Sequence, residues 1–335
     1  MAITAKELAK KLNLSATAVS MALNNKPGVS TETRNKVLQA AEKYGYDFSR
    51  IALKNNNSGF IYAVWYRGSN AIISYSPIFD ELLDGIEKEC RSQGYKVRIL
   101  QFYEKSDDLQ TIIETLRTSD CVGIILLGTE LTEAGGKKFI SLNKPIVILD
   151  SYFDSLNCNY VLINNRQGAY HATDYLISRR RNQPGHLQAS YPLRNFSERK
   201  EGFQKAVRDN GMSASLSIVH ELPPSIDGAM ADMLEIIDSG VALADCYFAD
   251  NDLIAIGAMK ALKLRGYRIP EDVAIIGFDN ISEGRIIDPA LTSISIPRLY
   301  MAQLAVQKLI DSINTPTPYK SKIEVDTSLV KRFSV

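Results

Sequence analysis

The sequence predicts an all-α helix-turn-helix head at its N-terminal end, followed by an α/β body of two lobes built on parallel sheets. Three observations point there. The first 48 residues carry three short helical patterns separated by turn residues. From Phe60 onward, apolar runs of strand character alternate with helical stretches, the pattern of parallel sheets joined by crossover helices. Seven such runs exceed one comfortable sheet, and 335 residues exceed one typical core, so two similar lobes with a cleft between them are expected.

In the head, Thr4 followed by Glu7 is a capping box, in which hydroxyl and carboxylate satisfy each other's free backbone N–H groups. Leu8, Ala9 and Leu12 form the apolar stripe of a first helix, which turns at Asn13. Ser15 caps a second helix whose inner face is Val19, Ala22 and Leu23, and Lys26-Pro27-Gly28 breaks it. Ser30 caps a third, with Val37, Leu38, Ala41 and Tyr44 inward and Gly45 as its stop. The outer face of the second helix is built from Ala, Ser, Thr and one Met. Small side chains there suit a helix seated in a DNA major groove about 12 Å wide, where bulk would hold the backbone off the bases. A plain three-helix packing module is the alternative. Charge separates the two: residues 1–58 hold nine Lys and Arg against four Asp and Glu, a net +5, whereas the rest of the chain is −4. A basic head on a slightly acidic body fits a polyanionic partner for the head alone.

Asn55-Asn56-Asn57-Ser58-Gly59 reads as a polar join. Beyond it the strand runs are FIYAVWY, YKVRILQFY, CVGIILLG, PIVILD, NYVLIN, CYFAD and DVAIIGFD, with helices such as FDELLDGIEKECRSQ and DLIAIGAMKALKLRG between them. Asp150, Asn251 and Asp279 follow or end apolar strands, and Arg199 lies in the loop-to-helix segment SERKEGF. Polar residues at the carboxyl ends of parallel strands are where open α/β sheets bind ligands, although strand-end Asp residues also serve as helix caps.

Several function classes find no support. No run of about 18 apolar residues exists to span a membrane, and the N-terminal stretch has Glu7 and no long apolar core, unlike a secretory signal, so a cytoplasmic protein is expected. Cys90, Cys121, Cys158 and Cys246 are scattered, with no metal-ligand spacing, so neither metal nor cofactor is expected and the thiols read as buried and reduced. His171, His186 and His220 lie far apart, and the nucleotide-binding, nucleophile-elbow and zinc-protease motifs are missing, so an enzyme is not expected. Asp107-Asp108 and Arg179-Arg180-Arg181 read as solvated helix or loop ends.

With LSATAVSMALNNKPGVS and TRNKVLQAAEKYGY in the head, and INNRQGAYHATDYLI, SERKEGF, FADNDLIAIGAMKALKLRGYRIPEDVAIIGFDN and PALTSI in the body, the chain resembles the lac-repressor-type (LacI/GalR) family of transcription regulators over nearly its whole length. The resemblance implies a homodimer on a pseudo-palindromic operator in double-stranded DNA, acting as a repressor. Its sensor would be periplasmic-binding-protein-like and take a small effector, usually a sugar, between its lobes. It implies a head at 1–48, a hinge at 49–58 and a body at 59–335, with a first lobe of about 59–162 plus 293–323 and a second of about 163–292 plus 324–335. A solute-binding protein with no role on DNA is the rival, and the head speaks against it.

The family's DNA positions fall on Ala16, Thr17 and Met21 for base reading and on Ser15, Ser20, Asn24 and Thr33 for phosphate contacts, with Thr4 opening the supporting helix. Met21 departs from the family, which commonly has an Arg there to grip guanine. The hinge departs as well: in Ser49 to Asn55, Ala52 is retained but Asn55 stands where a Leu wedge would enter the minor groove. Either Leu53 is a shifted wedge or the hinge stays unfolded. In the body the resemblance places Asp150, Arg199, Asn251 and Asp279 at effector positions, with Asn195 and Tyr66 as further candidates. Trp65, Tyr75 and Phe79 could offer an aromatic face to a sugar or pack in the core. Pro223 and Pro224 stand where many members place a stacking aromatic, and Ile296 where a polar side chain is common.

Overall fold

The structure, a computed structural model, describes residues 3–23, 28–46, 59–68 and 78–335. The expected sites Asn24, Ala52, Leu53 and Tyr75, and the hinge as a whole, lie outside the described residues.

The head is built from α1 (Ala5–Leu12), α2 (Ala16–Leu23) and α3 (Thr31–Lys43). Thr4 and Glu7 make the capping box in both directions: the Thr4 N–H donates to the Glu7 carboxylate at 2.7 Å, and the Glu7 N–H donates to the Thr4 hydroxyl at 3.3 Å. Asn13, at φ 53°, ends α1. Ser15 Oγ accepts from the Ala18 N–H at 3.0 Å, and Ser30 Oγ from the Thr33 N–H at 3.2 Å, so α2 and α3 start on hydroxyl caps. Leu8, Ala9, Val19, Ala22, Leu23, Val37 and Ala41 close one small core. Tyr44 is a correction, since it is 39% exposed rather than inward. The helix ends at Lys43, Gly45 turns the chain at φ 66°, and Tyr46 packs on the core instead, leaving the Tyr44 ring beneath the Lys11 ammonium at 4.1 Å.

The body opens with β1 (Phe60–Arg67), α4 (Ile78–Ser92), β2 (Lys96–Tyr103), α5 (Leu109–Thr118), β3 (Cys121–Leu127), α6 (Glu133–Ile140), β4 (Ile146–Leu149) and β5 (Asn159–Ile163). It continues through α7 (Asn165–Arg180), β6 (Gly185–Ala189), α8 (Arg194–Asp209), β7 (Val219–Leu222), α9 (Ile226–Asp238), β8 (Cys246–Ala249), α10 (Asp252–Leu264) and β9 (Ala274–Asp279). The last elements are α11 (Glu283–Ile286), β10 (Thr292–Ser295), α12 (Arg298–Asn314), β11 (Lys322–Val325) and β12 (Ser328–Val330).

These strands form two six-stranded sheets, ordered β11-β5-β4-β3-β1-β2 and β12-β10-β9-β8-β6-β7. The inner strands β3, β4, β5, β8 and β9 are buried along almost their whole length, which is why they read as continuous apolar runs. Strands β6, β7, β10, β11 and β12 were not anticipated. GHLQA and VHEL carry His, Gln and Glu among few apolar letters, and β7 and β12 are edge strands with an exposed side. The central strands of both sheets pair in parallel, and β10 with β12 is antiparallel.

The lobe crossings fall slightly later than expected. β10 stays paired to β9 through Ser295, and β11 to β5 through Val325, so the chain passes between lobes after β5, after Ser295 and after Val325 rather than at 292/293 and 323/324. Close packing fixes glycine at two places in the second lobe. A Cβ on Gly202 of α8 would lie 2.3 Å from the Arg166 carbonyl of α7, and one on Gly277 of β9 would lie 2.1 Å from Asp252 Oδ1.

Candidate functional site

Between the lobes, at the carboxyl ends of both sheets, lies a cavity. Asp150, Asn195, Arg199, Asn251 and Asp279 line it, as do Phe79 and Ile296. Six of the expected effector residues therefore converge. It sits where the strand order reverses direction, at the ends of β3 and β8 beside β1 and β6, as expected for a ligand site in such sheets.

Asp150 follows β4 at φ 69°, and Asp279 ends β9 at φ 109°. Left-handed backbone is uncommon for residues with a side chain, and a strand end held there by its surroundings marks a functional position. Asp150 accepts from Thr129 Oγ1 at 2.5 Å and, across the cleft, from Asn195 Nδ2 at 3.0 Å. Burial pushes its carboxyl up to about 6, against the pull of the Thr129 bond and the Arg199 charge.

Arg199, 4% exposed, is held by three acceptors. Nε donates to Asn165 Oδ1 at 2.9 Å, Nη1 to the Asp250 carbonyl, and Nη2 to Asp279 Oδ1 at 3.2 Å. The guanidinium lies 3.7 Å from the centre of the Phe278 ring. Three of its five N–H donors are used, leaving two for a ligand. Burial raises the Asp279 carboxyl, while Arg199 and then Arg298 pull it down; Arg298 also donates to the Asp279 carbonyl and reaches Glu81 at 2.9 Å.

Asn251 does two things. Its Oδ1 accepts from the Ile254 N–H at 2.9 Å, capping α10, while its amide nitrogen remains for the cavity. Below this floor, Asp250 accepts from His186 Nε2 at 2.7 Å and from the Ala189 N–H at 2.8 Å, and the His186 ring packs against both Phe203 and Phe248, which also meet each other. Asp252, buried beneath Asp279, accepts from Ser293 Oγ at 2.6 Å and from the Ile281 N–H at 2.9 Å. Burial, with the Asp279 charge adding to it, pushes its carboxyl up to about 8.

Trp65 and Tyr66 do not line the cavity. Tyr66 packs in the first lobe's core, its hydroxyl donating to Glu104 at 2.7 Å and its ring 4.9 Å from Phe102. Trp65 lies behind Phe79, with ring centres 5.8 Å apart. Sequence reasoning missed Thr129, Leu82, Ile163, Leu193, Phe196 and Met301 in the lining. Thr129 could have been found, because it stands two residues past the run ending at Leu127, as Asn251 stands two past Ala249.

In the head, Ser15, Ala16, Thr17 and Ser20 on the outer face of α2 are exposed, as is Thr4, while Thr33 is half-buried. Met21 is also half-buried, with its sulfur lying against Gly28. The four cysteines are free and buried. Asp108 caps α5 by accepting from the Gln110 and Thr111 N–H groups, and Arg181 ends α7 at φ 57°. Among the described residues, no helix is long and apolar enough to cross a membrane, and no three His, Cys, Asp or Glu side chains gather as a metal site requires.

Residues 4–48 match the family described as bacterial regulatory proteins, lacI family, and residues 173–335 match a periplasmic binding protein-like domain. The HTH-type transcriptional repressor PurR of Pasteurella multocida is 30% identical over 99% of this chain and 98% of its own. The ribose operon repressor of Halalkalibacterium halodurans is 30% identical over 98% and 96%. Among solved structures, a LacI family transcriptional regulator from Enterococcus faecium with bound ribose superposes with a TM-score of 0.69 at 25% identity, covering 82% of this chain and 98% of that one. With a basic helix-turn-helix head, a two-lobed α/β body and full-length relatives that are transcriptional repressors, the chain belongs to the lacI family of bacterial regulatory proteins.

Proposed function

We propose that this regulator is a cytoplasmic repressor whose affinity for a pseudo-palindromic operator is set by a small sugar bound between the lobes. The observation that carries the proposal is the convergence of Asp150, Arg199, Asn251 and Asp279 on one cavity beside Phe79 and Phe196. Two carboxylates accept from vicinal hydroxyls, the free N–H groups of Arg199 and the Asn251 amide donate to ring or hydroxyl oxygens, and the phenyl rings cover the apolar face of a sugar. A relative named for the ribose operon and a neighbour with ribose bound make a pentose the first sugar to try. No chemical step is assigned to the cavity, which offers grip rather than a nucleophile.

In the head, Ala16, Thr17 and Met21 face base edges, and Thr4, Ser15, Ser20, Asn24 and Thr33 the phosphates, with Ala52 and Leu53 at the hinge. Lacking an Arg at position 21, the helix reads methyl groups and DNA shape. Replacement of Met21 with Arg should add a preference for guanine of about 1–3 kcal/mol at one position in each half-site. An unchanged site would place α2 elsewhere. The partner on DNA is a second copy of the chain. Leu264, 59% exposed, and Ile286, 82% exposed, lie close in sequence to the Lys263–Asp288 hydrogen bond at 2.6 Å and suit a dimer contact.

Selecting bound fragments from genomic DNA, with and without a panel of sugars, tests the proposal. A pseudo-palindromic site whose recovery changes with one sugar supports it. Binding in the cavity without any enrichment of DNA would favour a solute binder.

A further inference from the structure

Two cross-lobe contacts start from neighbouring residues at the beginning of α8. Asn195 reaches Asp150 directly. Arg194 reaches the same segment of the first lobe two residues on: its Nη1 donates to the Tyr152 carbonyl at 3.3 Å, and its guanidinium lies 4.5 Å over the Tyr152 ring. Arg194 is in turn linked to the floor of the cavity by one carboxylate. Glu198, with a side chain 13% exposed, accepts from Arg194 Nε at 3.1 Å on one oxygen and from Asn165 Nδ2 at 3.1 Å on the other. Arg166 Nη1, also 3.1 Å away, completes its pairing. Asn165 Oδ1 is the acceptor that fixes Arg199 Nε.

From these distances we infer that Glu198 is a positioning residue coupling the grip of Arg199 on ligand to closure of the lobes. The path Arg199–Asn165–Glu198–Arg194–Tyr152 joins the cavity to the opposite lobe without passing through the ligand. Each link fixes its neighbour for a physical reason. Asn165 presents its oxygen to Arg199 while its amide nitrogen faces acceptors, chiefly Glu198 at 3.1 Å and, at the longer distance of 3.4 Å, the Ile163 carbonyl. A carboxylate gripped by two guanidiniums holds Arg194 in the rotamer that reaches Tyr152. A ligand that orders Arg199 therefore orders Arg194, and closure that seats Arg194 on Tyr152 prepares Arg199. The inference rests on the cleft being the effector site.

Glu198→Ala and Glu198→Gln in the full-length chain test it with two readouts, D-ribose affinity by calorimetry and amide hydrogen exchange in residues 150–156 without sugar. Glu198→Ala should weaken ribose binding about tenfold, within the range of ordinary site-to-site coupling, and speed exchange in 150–156, a first-lobe segment that Glu198 does not touch. Glu198→Gln keeps an oxygen for Asn165 and should recover most of the ribose affinity, while its exchange stays intermediate because the charge pairing with Arg194 is lost. Unchanged values in both variants would overturn the inference. So would a loss of ribose affinity that follows thermal stability while 150–156 exchanges at the wild-type rate. If the wild-type chain binds no ribose, ribose fails as the effector by itself, and the exchange rates decide alone: faster in Glu198→Ala supports the coupling, equal overturns it.

Discussion

The two lobes are the same device with different electrostatics. Each sheet has the same strand order, so β4 of the first lobe and β9 of the second occupy equivalent places, and each leads into an aspartate in left-handed backbone, Asp150 and Asp279. Both carboxylates face one cavity. Asp150 is held by a hydroxyl and an amide and is pushed up to about 6 by burial, whereas Asp279 is paired with the buried Arg199. Equivalent backbone thus produces two carboxylates that burial raises, one held by neutral donors and one paired with a guanidinium. The difference lies in the partners that α8 and the loop after β3 bring to each.

The largest effect should come from breaking the guanidinium-paired side. Asp279→Ala leaves Arg199 buried without its carboxylate, a situation that costs about 3–5 kcal/mol. Ligand affinity measured by calorimetry should fall about ten- to a hundredfold, as the loss of one charged acceptor would, with dimerisation and ligand-free operator binding retained. A variant that still responds to sugar would remove Asp279 from the grip.

The side held by neutral donors should show itself through pH. If sugar hydroxyls donate to the charged form of Asp150 as proposed, binding favours ionisation and should weaken as pH falls through about 6, where the free carboxyl takes up its proton. Asp150→Asn should flatten this dependence while lowering affinity at pH 7.5 about tenfold, as loss of a charged acceptor would. A wild-type profile that is level from pH 5 to 8 would mean that the two aspartates are electrostatically alike after all.

The smallest change sharpens the contrast. Thr129→Val removes the donor that lowers the Asp150 pKa, so the inflection should move above its wild-type position and affinity should drop about two- to tenfold, on the scale of one hydrogen bond. An inflection that does not move would detach the pH dependence from Asp150.

Much of this could be read from the chain. The capping box, the inner face of α2 and the burial of Val19, Ala22 and Leu23 follow from spacing alone, because local hydrogen bonds and a 3.6-residue period decide them. The uniformly apolar inner strands were legible because burial on both faces makes them continuous apolar runs. Strands such as GHLQA were not, since their pairing is decided by neighbours distant in sequence; the buried His186 there is accommodated only because Asp250, 64 residues on, meets its Nε2. Strand-end position alone did not separate ligand residues from helix caps at Asp150, Asn251 and Asp279, and the family resemblance was what placed these three and Arg199 together in the proposed site. What sequence reading could not supply was side-chain direction. Tyr66 and Trp65 adjoin on β1, and neither reaches the cavity, whereas Phe196, next to Asn195 on α8, does.

The central claim is that two equivalent strand-end aspartates jointly grip a polyhydroxylated ligand. A thermal-shift screen of a sugar library against the wild-type chain and an Asp150→Asn, Asp279→Asn double variant tests it most directly, because a ligand that binds only the folded state raises its stability in proportion to ln(1 + [L]/Kd). At least one sugar should raise the wild-type Tm by several degrees at about a hundred times its Kd and leave the double variant unmoved. A sugar that stabilised both chains equally would contradict the account and place the ligand grip elsewhere in the body.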